Sequence, residues 1–147
     1  MNLNLRKPTR ILLLLLFVFH FISCGHDNSP KGVAETFLFR YFLELNQRGA
    51  LELSTGLAVD KLQKEIELTQ SVRMEPNLDL SKLRPFIDYK LTGTQTRSDE
   101  TVTLFYDVTI ERKSGLKFRK EAVLSTMQVD GRWKINNYDI FDPNQKL

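Results

Sequence analysis

Few side chains in this 147-residue sequence can do chemistry, and they are unevenly placed. The one cysteine, Cys24, lies between the two histidines, His20 and His26. Past His26 the sequence carries neither residue type. That removes Ser–His and Cys–His nucleophile pairs and most ligands for zinc, copper or haem. What remains is carboxylates and phenols. Asp88, Asp107 and Asp139 fall in segments of strand character, and Tyr41, Tyr89 and Tyr106 accompany them. A carboxyl group in an apolar site can act as a base, so an acid–tyrosine pair is the proton-transfer chemistry left open. Oxygen-ligand sites for calcium or magnesium also stay open. However, no D-x-D-x-D-G loop occurs, and Asp99-Glu100 reads as a turn. The sequence therefore implies no cofactor, no metal site and no catalytic residue set.

Cys24 has the most informative surroundings. Arg6, Lys7 and Arg10 precede an apolar run from Ile11 to Phe19, and Phe21-Ile22-Ser23-Cys24-Gly25 follows. A basic start, a short apolar core and a small residue before the cut make a secretory signal. The run is too short for a membrane span, which takes about 20 apolar residues. Phe21-Ile22-Ser23-Cys24 resembles the bacterial lipobox, with Phe21 where Leu is usual. The resemblance implies that residues 1–23 are a signal peptide and that Cys24 is lipidated on its sulfur and becomes the new N-terminus. It also implies tethering to the membrane of a bacterial cell envelope. An uncleaved anchor, or an ordinary signal with a bystander thiol, are the competing readings. Each buried methylene contributes about 0.8 kcal/mol, and two chains hold firmly where one does not. Gly25 is not the Asp that resembles inner-membrane retention, which favours the outer membrane where the cell has one. With a single cysteine no intrachain disulfide forms.

The charge balance then changes. The leader carries three of the 21 cations and none of the 18 acids, so the remaining 124 residues hold 18 of each. Nucleic-acid binding needs surplus positive charge, and no such surplus survives. That length suits one domain, from residue 29 to 147, joined to the lipid by the polar spacer 24–28.

Several elements must position these residues. Ser29-Pro30 predicts a helix start, with Ser as cap and Pro in the first turn. Val33, Ala34, Phe37, Leu38, Tyr41, Phe42 and Leu45 form one apolar stripe, and Gly49 predicts the stop near residue 48. A short helix over 50–54 follows, then a third over about 57–74. Leu62, Ile66, Thr69 and Val72 form its buried face; Asp60, Lys61, Lys64, Glu65 and Glu67 form a solvated one. Pro76 ends it, and 77–84 is a connection with one loose turn. From Phe86 the period becomes two, predicting strands at about 86–96, 101–112, 117–129 and 132–141, the last two joined by the hairpin signal Asp130-Gly131. On the second strand Asp107 takes the polar parity. On the fourth, Asp139 shares the parity of Trp133 and Ile135. The third strand carries apolar residues on both parities (Phe118, Ala122 and Leu124 against Val123, Met127 and Val129). That predicts a bulge or, alternatively, an outer face used for self-association as a homodimer through the sheet. Helices followed by such a meander predict an α+β fold, with N-terminal helices packed on a curved four-stranded antiparallel sheet.

Residues 29–38 (SPKGVAETFL), 50–54 (ALELS) and 130–135 (DGRWKI) together resemble the small NTF2-like lipoproteins, an α+β group with a cone-shaped fold. The resemblance implies helices covering the concave side of a bent sheet, with a pocket between them. Phe37, Tyr41, Tyr106, Trp133 and Asp139 are the candidate pocket residues, although aromatics at such positions also read as plain core. The expected function is a membrane-tethered, non-enzymatic domain binding a small apolar ligand or another envelope protein. The alternative is an isomerase or lyase using Asp139 and a pocket tyrosine.

Overall fold

A computed structural model describes residues 27–73 and 79–143. The signal segment 1–23, Cys24 and Pro76 lie outside the described residues, as does the side chain of Val72. The fold is α+β: helices pack on one face of an open four-stranded antiparallel sheet of order β1-β2-β3-β4.

Helix α1, Pro30–Leu38, starts as its sequence predicts. Pro30 opens the first turn, and the Ser29 hydroxyl accepts a hydrogen bond from Gly32 N at 3.0 Å. Val33, Ala34, Phe37 and Leu38 are buried. The helix does not run on to residue 48. Phe39–Leu43 form a π-helical turn, and Leu45 takes a positive φ of 52° that ends it. Asn46 then caps a new helix, α2 (Gln47–Leu51), by accepting from Gly49 N at 2.9 Å. Gly49 is therefore inside a helix rather than at a stop. It stays glycine because a Cβ there would press on the Asn46 side chain and come within 3.3 Å of Arg40 Cδ. The expected helix at 50–54 is thus shifted to 47–51.

Helix α3, Gly56–Arg73, lies within one residue of its predicted bounds, and Leu80–Leu83 form a single turn, α4, in the expected connection. The strands are β1 Phe86–Ser98, β2 Thr101–Glu111, β3 Lys117–Val129 and β4 Arg132–Phe141. Asp130 and Gly131, both at positive φ, make the two-residue hairpin turn.

The expected bulge in β3 is absent. Its pairing with β2 runs unbroken from Thr101↔Met127 to Glu111↔Lys117. The irregularity lies across the other ladder: Ser125 pairs with Asn137 and Thr126 with Ile135, leaving Asn136 as an extra residue on β4. A second shift leaves Thr92 unpaired on β1. A bulge bends its strand and moves every later side chain to the other face.

The core lies between α1 to α3 and one sheet face, around Phe37, Leu62, Tyr106, Leu124, Ile135 and Tyr138. Cover is unequal along the sheet. The central core-facing residues of β2, β3 and β4 (Leu104, Tyr106, Val108, Ala122, Leu124, Ile135 and Tyr138) are buried, whereas Ile87, Tyr89 and Leu91 of β1 are only half-buried. On the opposite face, Phe105 and Val123 stand across from each other, both half-buried.

Candidate functional site

The five residues grouped by sequence do not all lie on one face of the sheet. Phe37 is fully buried, and its ring stacks with Tyr41 at 5.7 Å and meets Tyr138 at 5.1 Å. Trp133 is half-buried against the same core, with its backbone N–H donating to Asn28 Oδ1 at 3.0 Å. Tyr106 is 1 % exposed, and its hydroxyl makes no hydrogen bond among the described residues. Burial, then the nearby Glu35 carboxyl and Tyr89, push the Tyr106 phenol well above its ordinary value. Its phenol stays protonated across the neutral range.

Asp139 sits elsewhere, because the extra residue Asn136 changes the phase of β4. Ile135 and Tyr138 face the core, and Asp139 stands opposite Val123 on the other face. Its side chain is 48 % exposed. One carboxylate oxygen accepts from Lys61 Nζ at 2.6 Å, and the other accepts from Asn137 Nδ2 at 3.2 Å. The expected pocket pair of Asp139 with a tyrosine is therefore not assembled. Asp107 is exposed, as its parity predicts.

Two residues that do converge, Lys61 and Glu65, belong to the helix face that the sequence predicts to be solvated. Lys61 and Glu65, four apart on α3, turn toward β4. Lys61 Nζ donates to Tyr138 O at 2.7 Å and lies 5.5 Å from that tyrosine's ring centroid. The Tyr138 hydroxyl donates to Glu65 Oε1 at 2.7 Å. Burial, followed by the hydrogen bond to Glu65, pushes the Tyr138 phenol up. Burial and the Glu65 charge do the same to Tyr41. Both phenols stay protonated across the neutral range, so the cluster holds two donors around one carboxylate. Beside it the chain before α3 runs along the β4 edge: Ile135 N donates to Leu53 O at 2.9 Å, and Thr55 N donates to Ile135 O at 2.8 Å. This covers part of an otherwise open strand edge. The only signal for the clasp in sequence is the Lys61/Glu65 spacing, which also fits a solvated helix face.

An open space begins beyond Phe42, whose ring meets that of Tyr41 at 5.0 Å. A cleft of about 590 Å³ has Phe42, Leu45, Leu83, Pro85 and Ile110 as its apolar walls. Lys82, Arg112 and Lys113 stand around it, and among the described residues no carboxylate lines it. Its size falls in the range of small-molecule sites, about 300–1,000 Å³. The apolar surface continues outward: Leu83 is 56 % exposed, and Leu116 and Phe118 are exposed beyond it. Arg112 lies 4.9 Å from the centroid of the Phe118 ring. A smaller space of about 170 Å³ near Asp107, Arg119 and Glu121 carries charges of both signs. Neither opening reaches Glu65 or Tyr138. Among the described residues no group of three or more metal-ligating side chains converges. No helix of the described residues is long and apolar enough to cross a membrane.

No protein-family model matches this sequence, and no curated protein aligns with it.

Proposed function

We propose that this chain is a lipid-tethered protein of the bacterial cell envelope, whose NTF2-like domain binds a small apolar ligand without transforming it. Three features support the NTF2-like reading: the helices preceding the sheet, the four-stranded meander, and the Asp-Gly hairpin before the last strand. The lipobox resemblance at Cys24 supports the tether. The observation that carries the binding function is the open cleft of about 590 Å³ with its apolar walls. A non-enzymatic role is favoured because the carboxylate needed by the isomerase reading, Asp139, accepts from Lys61 and Asn137 rather than from a tyrosine hydroxyl. Binding of another envelope protein is the second form of the same reading. It is favoured by the exposed apolar rim of Leu83, Leu116 and Phe118.

Two measurements test this. Metabolic labelling with a fatty acid should mark the wild-type chain and spare Cys24→Ala; equal labelling of both removes the tether. The full chain, isolated from membranes without denaturation and extracted for mass spectrometry, should release a stoichiometric small molecule or hold one protein partner. Either should be lost in Ile110→Asp. Recovery of neither, or full retention in that variant, ends the binding reading.

A further inference from the structure

The cleft has a chemical character that apolarity alone does not describe, and a position that bears on its supply. Its walls come from three separate stretches of chain: Phe42 and Leu45 after the π-helical turn, Leu83 and Pro85 around α4, and Ile110 near the end of β2. Among the described residues, all three charged residues that line it are cations. In a domain whose cations and acids balance, three of one sign around a single apolar cleft is a local departure from the whole. Lys82 meets Asp79 at 3.6 Å, but that lysine side chain is 79 % exposed, so the pairing is screened and leaves the head free to turn. Arg112 is held over the Phe118 ring, which orients its guanidinium at the end of β2.

From this geometry we infer that the cleft takes a free single-chain amphiphile with an anionic head, such as a fatty carboxylate. The aliphatic chain lies on Phe42, Leu45, Leu83, Pro85 and Ile110, and the head meets Arg112, Lys113 and Lys82. Burying the chain supplies most of the affinity, at roughly 25 cal/mol per Å² of apolar surface. The cations select charge: a neutral head of the same length gains no attraction from them, and a cationic head is repelled.

The position of the cleft favours a free ligand over a bilayer. Asn28 is pinned to the β3–β4 hairpin end, its Nδ2 donating to Gly131 O at 3.0 Å and its Oδ1 accepting from Trp133 N at 3.0 Å. Lysine and arginine of the cleft stand at the opposite end of the strands, after Glu111 and before Lys117. The 13 residues of β3 between these ends span about 40 Å. A lipid on Cys24, a few residues before Asn28, therefore holds the hairpin end against the membrane and leaves the cleft at the far end.

This inference rests on the ligand-binding function proposed above, and the test separates the two. The full chain is left in isolated membranes and exposed to a photoreactive C12 carboxylate; labelled peptides are mapped by mass spectrometry. Labelling is expected on peptides containing Phe42–Leu45, Leu83–Pro85 and Ile110–Ser114. Unlabelled dodecanoate should compete for it, with dodecanol about tenfold weaker. The double variant Arg112→Glu/Lys113→Glu, in which both altered side chains are exposed, should lose about tenfold in labelling while keeping its thermal unfolding. If a photoreactive C12 alcohol labels the cleft as well as the carboxylate, and the double variant labels normally, the anionic class is overturned while apolar binding stands. If neither probe labels these peptides, both fall. If photoreactive phosphatidylglycerol in vesicles labels the cleft and free dodecanoate does not compete, the surface docks a bilayer, and the free-ligand inference is overturned.

Discussion

The two edges of the sheet are treated in opposite ways. At β4, helix α3 lies close, Lys61 and Glu65 clasp Tyr138 by its carbonyl and its hydroxyl, and Leu53 to Thr55 pair along Ile135. At β1 the core-facing residues Ile87, Tyr89 and Leu91 are only half-covered, and the chain around α4 leaves a cleft instead of closing on the sheet. One edge spends its polar groups on each other; the other leaves apolar walls and cations facing outward. A hydrogen-bonded polar cluster rigidifies the structure around it, although Asn137 Oδ1 lacks a partner among the described residues, whereas an open apolar cleft ringed by one sign of charge can take up a ligand. The comparison separates a stabilising edge from a binding edge.

Substitutions can break or sharpen that separation. Phe37→Ala removes a fully buried ring beneath the β4 side and should cost about 3–5 kcal/mol in urea unfolding. A loss below 1 kcal/mol on that measurement would show the core is not centred there. Tyr138→Phe removes one of the two phenol donors around Glu65 and should cost about 1–3 kcal/mol, again by urea unfolding. Alkali tests the same edge by another route. Tyr41, Tyr106 and Tyr138 hold their protons more tightly folded than unfolded. Stability is therefore whole below about pH 10, the unfolded phenol value, and declines as pH rises above it. Unfolding midpoints from pH 8 to 11 should be flat and then fall, and Tyr138→Phe should shallow the fall. At the other edge, Lys113→Glu should change stability by no more than about 0.5 kcal/mol, with its effect confined to ligand capture. Smallest of all is Tyr106→Phe. It deletes a buried hydroxyl that has no partner among the described residues, so it should be neutral or slightly stabilising by thermal unfolding. A clear destabilisation would show that this phenol has an acceptor.

Much of the fold was legible because its signals are local. Ser29-Pro30 carries its own cap, Asp130-Gly131 its own turn, and alternation along β2 its own burial. The helix boundary near Gly49 was misread because the decisive residues are Leu45 and Asn46: a positive φ and a side-chain cap outweigh a glycine that serves close packing. Glu65 and Lys61 were invisible as a pair with β4 because a charged helix face looks the same whether it meets water or a tyrosine hydroxyl.

From its own pattern the chain determined an α+β class, four strands in meander order and the identity of most core residues, since hydrophobic period and turn chemistry act over a few residues. Tertiary structure alone decided the face of Asp139, because one extra residue, Asn136, reverses the alternation that period counting assumes, and no residue type announces it. It alone also decided the cleft, which three stretches far apart in sequence build together. Apolar walls and cations become a site only when folding brings them within reach of one ligand.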